Sequence, residues 1–172
     1  MTTRDIILWS CAYLIALGAS IYFTRPTIRR VAGALAGGAV VGLMMLGVIV
    51  LGKAQGWWRV PFAPTPYFLP LFYLGSSISS APIYLVTWRV ARRFAWRGLT
   101  VFIAIAAVVG PPRDYLYAAT FPEWMVFAPG ITPILADAAT YVGIVALGHA
   151  VMRLVAGPSA RDPFGRPVRK AA

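Results

Sequence analysis

The chain has 172 residues, 59% of them apolar and only 12% charged, and the apolar residues fall in long runs. This excludes an ordinary water-soluble domain and leaves an all-α integral membrane helix bundle, one domain with room for four or five spans. The formal charge of +11 does not point to nucleic acid. The arginines gather at the ends of apolar runs, where they orient spans and meet anionic lipid headgroups.

Cys11 is the only cysteine and lies inside an apolar run. One thiol cannot close an internal disulfide, and no Cys/His spacing suits a metal, so no metal and no cofactor is expected. Arginine far outnumbers lysine beside abundant alanine and glycine, a composition that hints at a GC-rich bacterial genome and hence a bacterial inner membrane.

Residues 6–23 form the first predicted span. Small residues at Ala16, Gly18 and Ser20 imitate a signal-peptide cleavage site, but Arg4 is cancelled by Asp5, so the segment is expected to be retained. A short loop with Arg25, Arg29 and Arg30 follows, turned by Pro26. The second span, 31–52, carries Gly33/Gly37 and Gly38/Gly42, two GxxxG spacings that let another helix approach closely. They suit packing inside this chain, or a homo-oligomer or membrane-protein partner. Residues 53–66 are a loop in which Trp57 and Trp58 are read as headgroup-level anchors beside Arg59.

The third span, 67–88, has Ser76, Ser77, Ser79 and Ser80 before Pro82. Backward serine bonds and a proline that frees the carbonyl of Ile78 predict a kink there. A basic loop from Arg89 to Arg97 leads to a short fourth span, 98–115, whose end Pro111 and Pro112 are expected to distort. The fifth span is 131–155, and 157–172 reads as a basic, disordered cytoplasmic tail. With five spans, one side of the membrane collects twelve Lys/Arg residues and the other four, which predicts the N-terminus outside and the C-terminus cytoplasmic.

The stretch 110–141 stands apart. It holds three of the five acidic residues, Asp114, Glu123 and Asp137, together with Arg113, Tyr115, Tyr117, Trp124 and Tyr141. Charges near lipid cost roughly 2.5–3.5 kcal/mol at a helix centre, so they need partners or a function. Asp137 lies about two turns inside the fifth span, with Tyr141 one turn further on the same face. One expectation is a structural ion pair between Asp137 and Arg113, or an arginine of the first long loop. Another is a set of carboxyls around a pocket, since a carboxyl shielded from water suits a general acid. A proton or ion pathway is the third.

The apolar segment 116–130 reads as a short interfacial or re-entrant helix, begun by Pro122 with Glu123 near its positive end. His149 is too far along the fifth span to meet Asp137 and is read as a packed residue.

Function then divides. The first reading is a small enzyme, of a lyase, isomerase or cyclase type, acting on a lipophilic lipid or isoprenoid substrate. Asp114, Glu123 and Asp137 would be its acid/base residues, and Arg113, Tyr115, Tyr117, Trp124 and Tyr141 its substrate contacts. The alternative is a non-catalytic subunit of a larger membrane complex. A proton-coupled transporter ranks third, because the halves show no inverted repeat.

Overall fold

Local chemistry sets several of the helix ends in the computed structural model. The model describes residues 3–61 and 67–158, with side chains from Leu8 onward. The predicted tail beyond Pro158, and part of the loop at 53–66, lie outside the described residues. Helix α1 (Thr3–Thr24) stops at Arg25, whose φ of 47° breaks the helix just before Pro26. Helix α2 (Ile28–Ala54) is capped by Thr27, whose hydroxyl accepts from the Arg30 amide at 3.2 Å. It closes in a Schellman turn. Gly56 takes φ 69°, the Trp57 amide bonds the Gly52 carbonyl at 2.8 Å, and the Gly56 amide bonds that of Lys53 at 3.2 Å.

Helix α3 (Phe68–Thr120) has 53 residues and α4 (Ile131–Ala156) has 26. Two-residue strands, β1 (Trp58–Arg59) and β2 (Val126–Phe127), complete the elements. Helices α2, α3 and α4 are long and apolar enough to cross a membrane, and α1 contributes a shorter apolar stretch from Leu8 to Thr24.

A straight helix of 53 residues would be roughly 80 Å long, far beyond a hydrocarbon core of about 30 Å. Helix α3 is not straight. Ala95 (φ 53°, ψ −149°) divides it into 68–94 and 96–120. The basic segment predicted as a loop at 89–97 is therefore helical apart from that one residue. Pro82, Pro111 and Pro112 all lie within helix, so the non-helical residue is Ala95 and not a proline, and residues 112–120 continue the helix. The serines behave as expected: Ser77 donates to the Tyr73 carbonyl at 2.7 Å, and Ser80 to that of Ser76 at 2.6 Å.

Ala95 occupies backbone space that costs a non-glycine residue about 1–3 kcal/mol. Ala95→Gly removes that strain and adds back some unfolded-state entropy, leaving a net gain of about 1 kcal/mol. The melting midpoint in detergent is expected to rise by about 2–4 °C. A fall would show that Ala95 is not strained.

The bundle is drawn together by the glycines of α2. A Cβ on Gly37 would meet the Gly148 carbonyl of α4, and one on Gly33 would lie 2.9 Å from that of Met152. Cβ atoms on Gly38 and Gly42 would strike Ser77 of α3. The two GxxxG pairs thus serve two neighbours within the chain, one on each side of α2. Ala34, Val41, Ala81, Tyr84, Leu85, Trp88, Ile144 and Met152 form the core between these helices. Tyr84 spans it and donates to the Ile144 carbonyl at 3.1 Å. Helix α1 leans on α3.

Candidate functional site

The end of α2, the end of α3 and the start of α4 meet at one end of the bundle. The Schellman turn releases the chain into β1, which pairs antiparallel with β2 through Trp58 opposite Phe127 and Arg59 opposite Val126. The Ala128 amide also bonds the Trp57 carbonyl at 2.8 Å. Trp58 is buried with its ring against Gly52, where only a missing side chain leaves room. The two long connections are therefore clasped to each other.

The predicted helix within 116–130 is absent. Residues 116–120 belong to α3, which ends at Phe121 because a residue preceding proline avoids the helical region. Pro122 and Glu123 then form a turn closed by the Trp124 amide on the Phe121 carbonyl at 3.0 Å. Glu123 is exposed on that turn and makes no hydrogen bond or ion pair among the described residues.

Asp114 of α3 and Asp137 of α4 lie within electrostatic reach of each other, and their surroundings differ. Gly110 packs directly against the Tyr141 ring, so the two helices touch there. That approach brings the Tyr141 hydroxyl to Asp114 one turn beyond Gly110, donating to Oδ2 at 2.9 Å. Arg113 takes the other oxygen: Nε donates to Oδ1 at 2.8 Å and Nη2 lies 2.6 Å away. The same guanidinium sits 5.6 Å from the Tyr141 ring centroid, a cation–π geometry. Both oxygens of Asp114 are engaged.

Asp137 is the opposite case. It is 7% exposed, and its Oδ2 is buried with no hydrogen-bond partner among the described residues. It is near enough to Asp114 and Arg113 to interact electrostatically with both. The expected Asp137–Arg113 pair does not form, because Arg113 is taken by its own neighbour. Nor does Tyr141 bond Asp137, although they lie one turn apart; the phenol reaches across to α3 instead.

Tyr115 is close enough to feel Asp137, and its hydroxyl is likewise buried without a partner among the described residues. Its ring stacks on Phe127 at 4.2 Å and 15°, and Phe127 meets Trp58 edge-on at 6.0 Å. Tyr117 touches Trp124 edge-on at 6.1 Å and Phe121 at 4.9 Å. Helix α1, expected only as the first span, also reaches this cluster. Trp9 packs on Tyr117 at 5.6 Å, and Tyr13 lies within electrostatic reach of Arg113 and Asp114. The Trp9/Tyr13 spacing marks one helix face, but nothing in it names Asp114 as a neighbour.

Tyr141→Phe tests the tie between α3 and α4. Loss of the hydroxyl leaves one Asp114 oxygen without its donor, and a net cost of about 1–3 kcal/mol is expected. In detergent the melting midpoint should fall by about 2–12 °C, and an unchanged midpoint would show that the bond contributes nothing.

Fold and site together define an all-helical protein with long apolar helices and a carboxyl–phenol cluster at one end. Comparison with protein families, with curated proteins and with solved structures found no match.

Proposed function

We propose that the protein is a small multi-pass membrane enzyme that moves protons on a lipophilic substrate, a lipid or an isoprenoid. The observation that carries this reading is the contrast between two neighbouring carboxyls. Asp114 has both oxygens engaged, whereas Asp137 keeps a buried oxygen without a partner among the described residues.

A structural carboxyl is satisfied by its neighbours, while a buried one left open suits an atom that arrives with the substrate. Asp137 is assigned the role of general acid or base, with Tyr115 beside it as a hydrogen-bonding group. Asp114, Arg113 and Tyr141 hold the fixed charge pattern that the transferred proton meets. The rings of Tyr115, Tyr117 and Trp124 offer aromatic faces that stabilise positive charge developing on a hydrocarbon, in keeping with a lyase, isomerase or cyclase. Glu123, outward on its turn, takes no step in this scheme.

Five spans fit this reading: α1, α2, the two halves of α3, and α4. Support comes from the length of α3 and its break at Ala95. Twelve basic residues on one side against four on the other then put the C-terminus in the cytoplasm and the carboxyls towards the outer face of a bacterial inner membrane.

Total lipid extracts of matched host strains, compared by mass spectrometry, test the proposal. One strain carries the gene, one lacks it, and one produces Asp137→Asn at normal protein level. The same lipophilic compound is expected to accumulate in the last two. No change in any lipid would overturn the enzyme and favour a non-catalytic subunit of a membrane complex.

A further inference from the structure

The end of the bundle away from Asp114 and Asp137 holds a second site that the proton chemistry does not use. A cavity of about 280 Å³ opens there between α2, α4 and the two halves of α3. Trp88 lines it from one half of α3, Trp96 and Leu99 line it from the other, and Met152 closes it from α4. These walls are apolar. His149 and Arg153, one turn apart on α4, add polar groups, and no acidic residue is among the described residues that line it.

Arg30 also borders the cavity but is committed elsewhere. Its Nη1 donates to the Gly157 carbonyl at 2.9 Å, and its guanidinium lies 5.4 Å from the Trp88 ring centroid. His149 is 8% exposed, and Thr87 orients its ring. The Thr87 hydroxyl gives its proton to the Tyr84 carbonyl at 3.1 Å, so in the 2.9 Å contact with His149 the threonine oxygen accepts and Nδ1 donates. In the neutral ring Nε2 is then a lone-pair acceptor. It makes no hydrogen bond among the described residues.

We infer that this cavity binds a neutral lipid alcohol, a hydroxyl on an apolar chain, which gives its proton to Nε2 of His149. An acceptor shut among apolar walls calls for a donor, and the surroundings decide which kind. Arg30 and Arg153, both within electrostatic reach of the ring, repel an ammonium group. A deprotonated anion has no hydrogen to offer the lone pair. A hydroxyl has one, and its oxygen still accepts from Arg153. Trp88, Leu99 and Met152 take the first carbons of the chain. The volume is at the lower end for a small-molecule site, which suits the hydroxyl end of a lipid and not the whole of it.

The chain has one histidine, so histidine-selective nitrogen-15 labelling reports this ring alone. The full chain, without a histidine tag, is placed in nanodiscs of phosphatidylcholine, a lipid with no hydroxyl. Three probes are titrated at neutral pH: 1-dodecanol, 1-methoxydodecane and dodecanoate. Binding is read from the Nε2 resonance. Leu99→Trp fills the cavity, and Arg153→Gln, at an exposed position, removes a donor without burying a hole. Arg89→Gln removes an exposed charge from outside the cavity.

Before titration Nε2 is expected to resonate as an unprotonated ring nitrogen. 1-Dodecanol should move it saturably upfield, whereas the ether, with no hydrogen to give, should leave it in place. Dodecanoate should bind more weakly than the alcohol. Leu99→Trp should remove the response. Affinity for the alcohol should fall roughly tenfold in Arg153→Gln, the loss of one charge-assisted hydrogen bond, and stay unchanged in Arg89→Gln. A proton on Nε2 in the untreated protein, an equal response to the ether, tighter binding of dodecanoate, or no saturable response to the alcohol would overturn the inference. So would an undiminished response in both Leu99→Trp and Arg153→Gln.

Discussion

Asp137→Asn is expected to abolish turnover while leaving the protein folded. The substitution preserves shape and removes the ability to exchange a proton, which lowers an acid/base-catalysed rate by about 10²–10⁴-fold. Its structural cost should be small. Asp137 makes no ion pair among the described residues, and the new amide replaces an oxygen that has no partner to lose. Purified Asp137→Asn should therefore melt within about 2 °C of the unmodified protein, a change of under ~0.5 kcal/mol. The measurement pairs that midpoint with the lipid profile of the strain. A drop comparable to breaking a buried pair, about 3–5 kcal/mol, would make Asp137 a structural residue and remove the basis of the proposed chemistry.

Gly38→Ala and Gly47→Ala form a second test, in which two forces predict different signs. Both residues lie within α2, where alanine is favoured over glycine by about 1 kcal/mol, so helix propensity alone stabilises both variants. Packing separates them. A Cβ at Gly38 lands on the Ser77 carbonyl, a backbone atom that cannot swing aside, whereas a Cβ at Gly47 meets nothing within 4 Å. Gly38→Ala is expected to cost about 2–3 kcal/mol after the propensity gain, since overpacking a tight contact forces the helices apart. Its midpoint should fall by about 4–12 °C, while that of Gly47→Ala stays level or rises. Stabilisation of both would mean that α2 and α3 do not meet through Gly38.

The long apolar runs were legible because a membrane imposes a minimum length, and length survives in any sequence. The close approach of α2 to its neighbours was legible too, because Gly33, Gly37, Gly38 and Gly42 advertise missing side chains at helical spacing. Ala95 gave no such sign. Alanine favours helix, so its positive φ is imposed by the packing of 68–94 and 96–120 and not by local preference. The clasp of β1 and β2 is only two residues long on each side, too short for an alternating pattern to register.

For the candidate site, composition drew the eye to the stretch 110–141 but not to the pairs that form within it. Spacing along one helix places Asp137 and Tyr141 on a common face. It cannot say that Tyr141 turns to Asp114, because that depends on the register between α3 and α4. Gly110 sets that register, and in the sequence it looks only like the start of a break before Pro111 and Pro112. The helical continuation to Thr120 was hidden by the same prolines, although Leu116, Ala118 and Ala119 are all good helix formers.

The clasp also orders events during synthesis. Asp114 and Tyr115 leave the ribosome before the groups that fix them: Phe127, which stacks on Tyr115, and Tyr141, which bonds Asp114. Trp58, the far anchor of the clasp, is older than either and waits for Phe127 to arrive. A nascent chain that ends before residue 141 can already bring Gly38 to Ser77, yet it has no completed carboxyl cluster. The contact between α2 and α3 can thus form before α4, which brings both its share of the core and the closure of the ionisable centre.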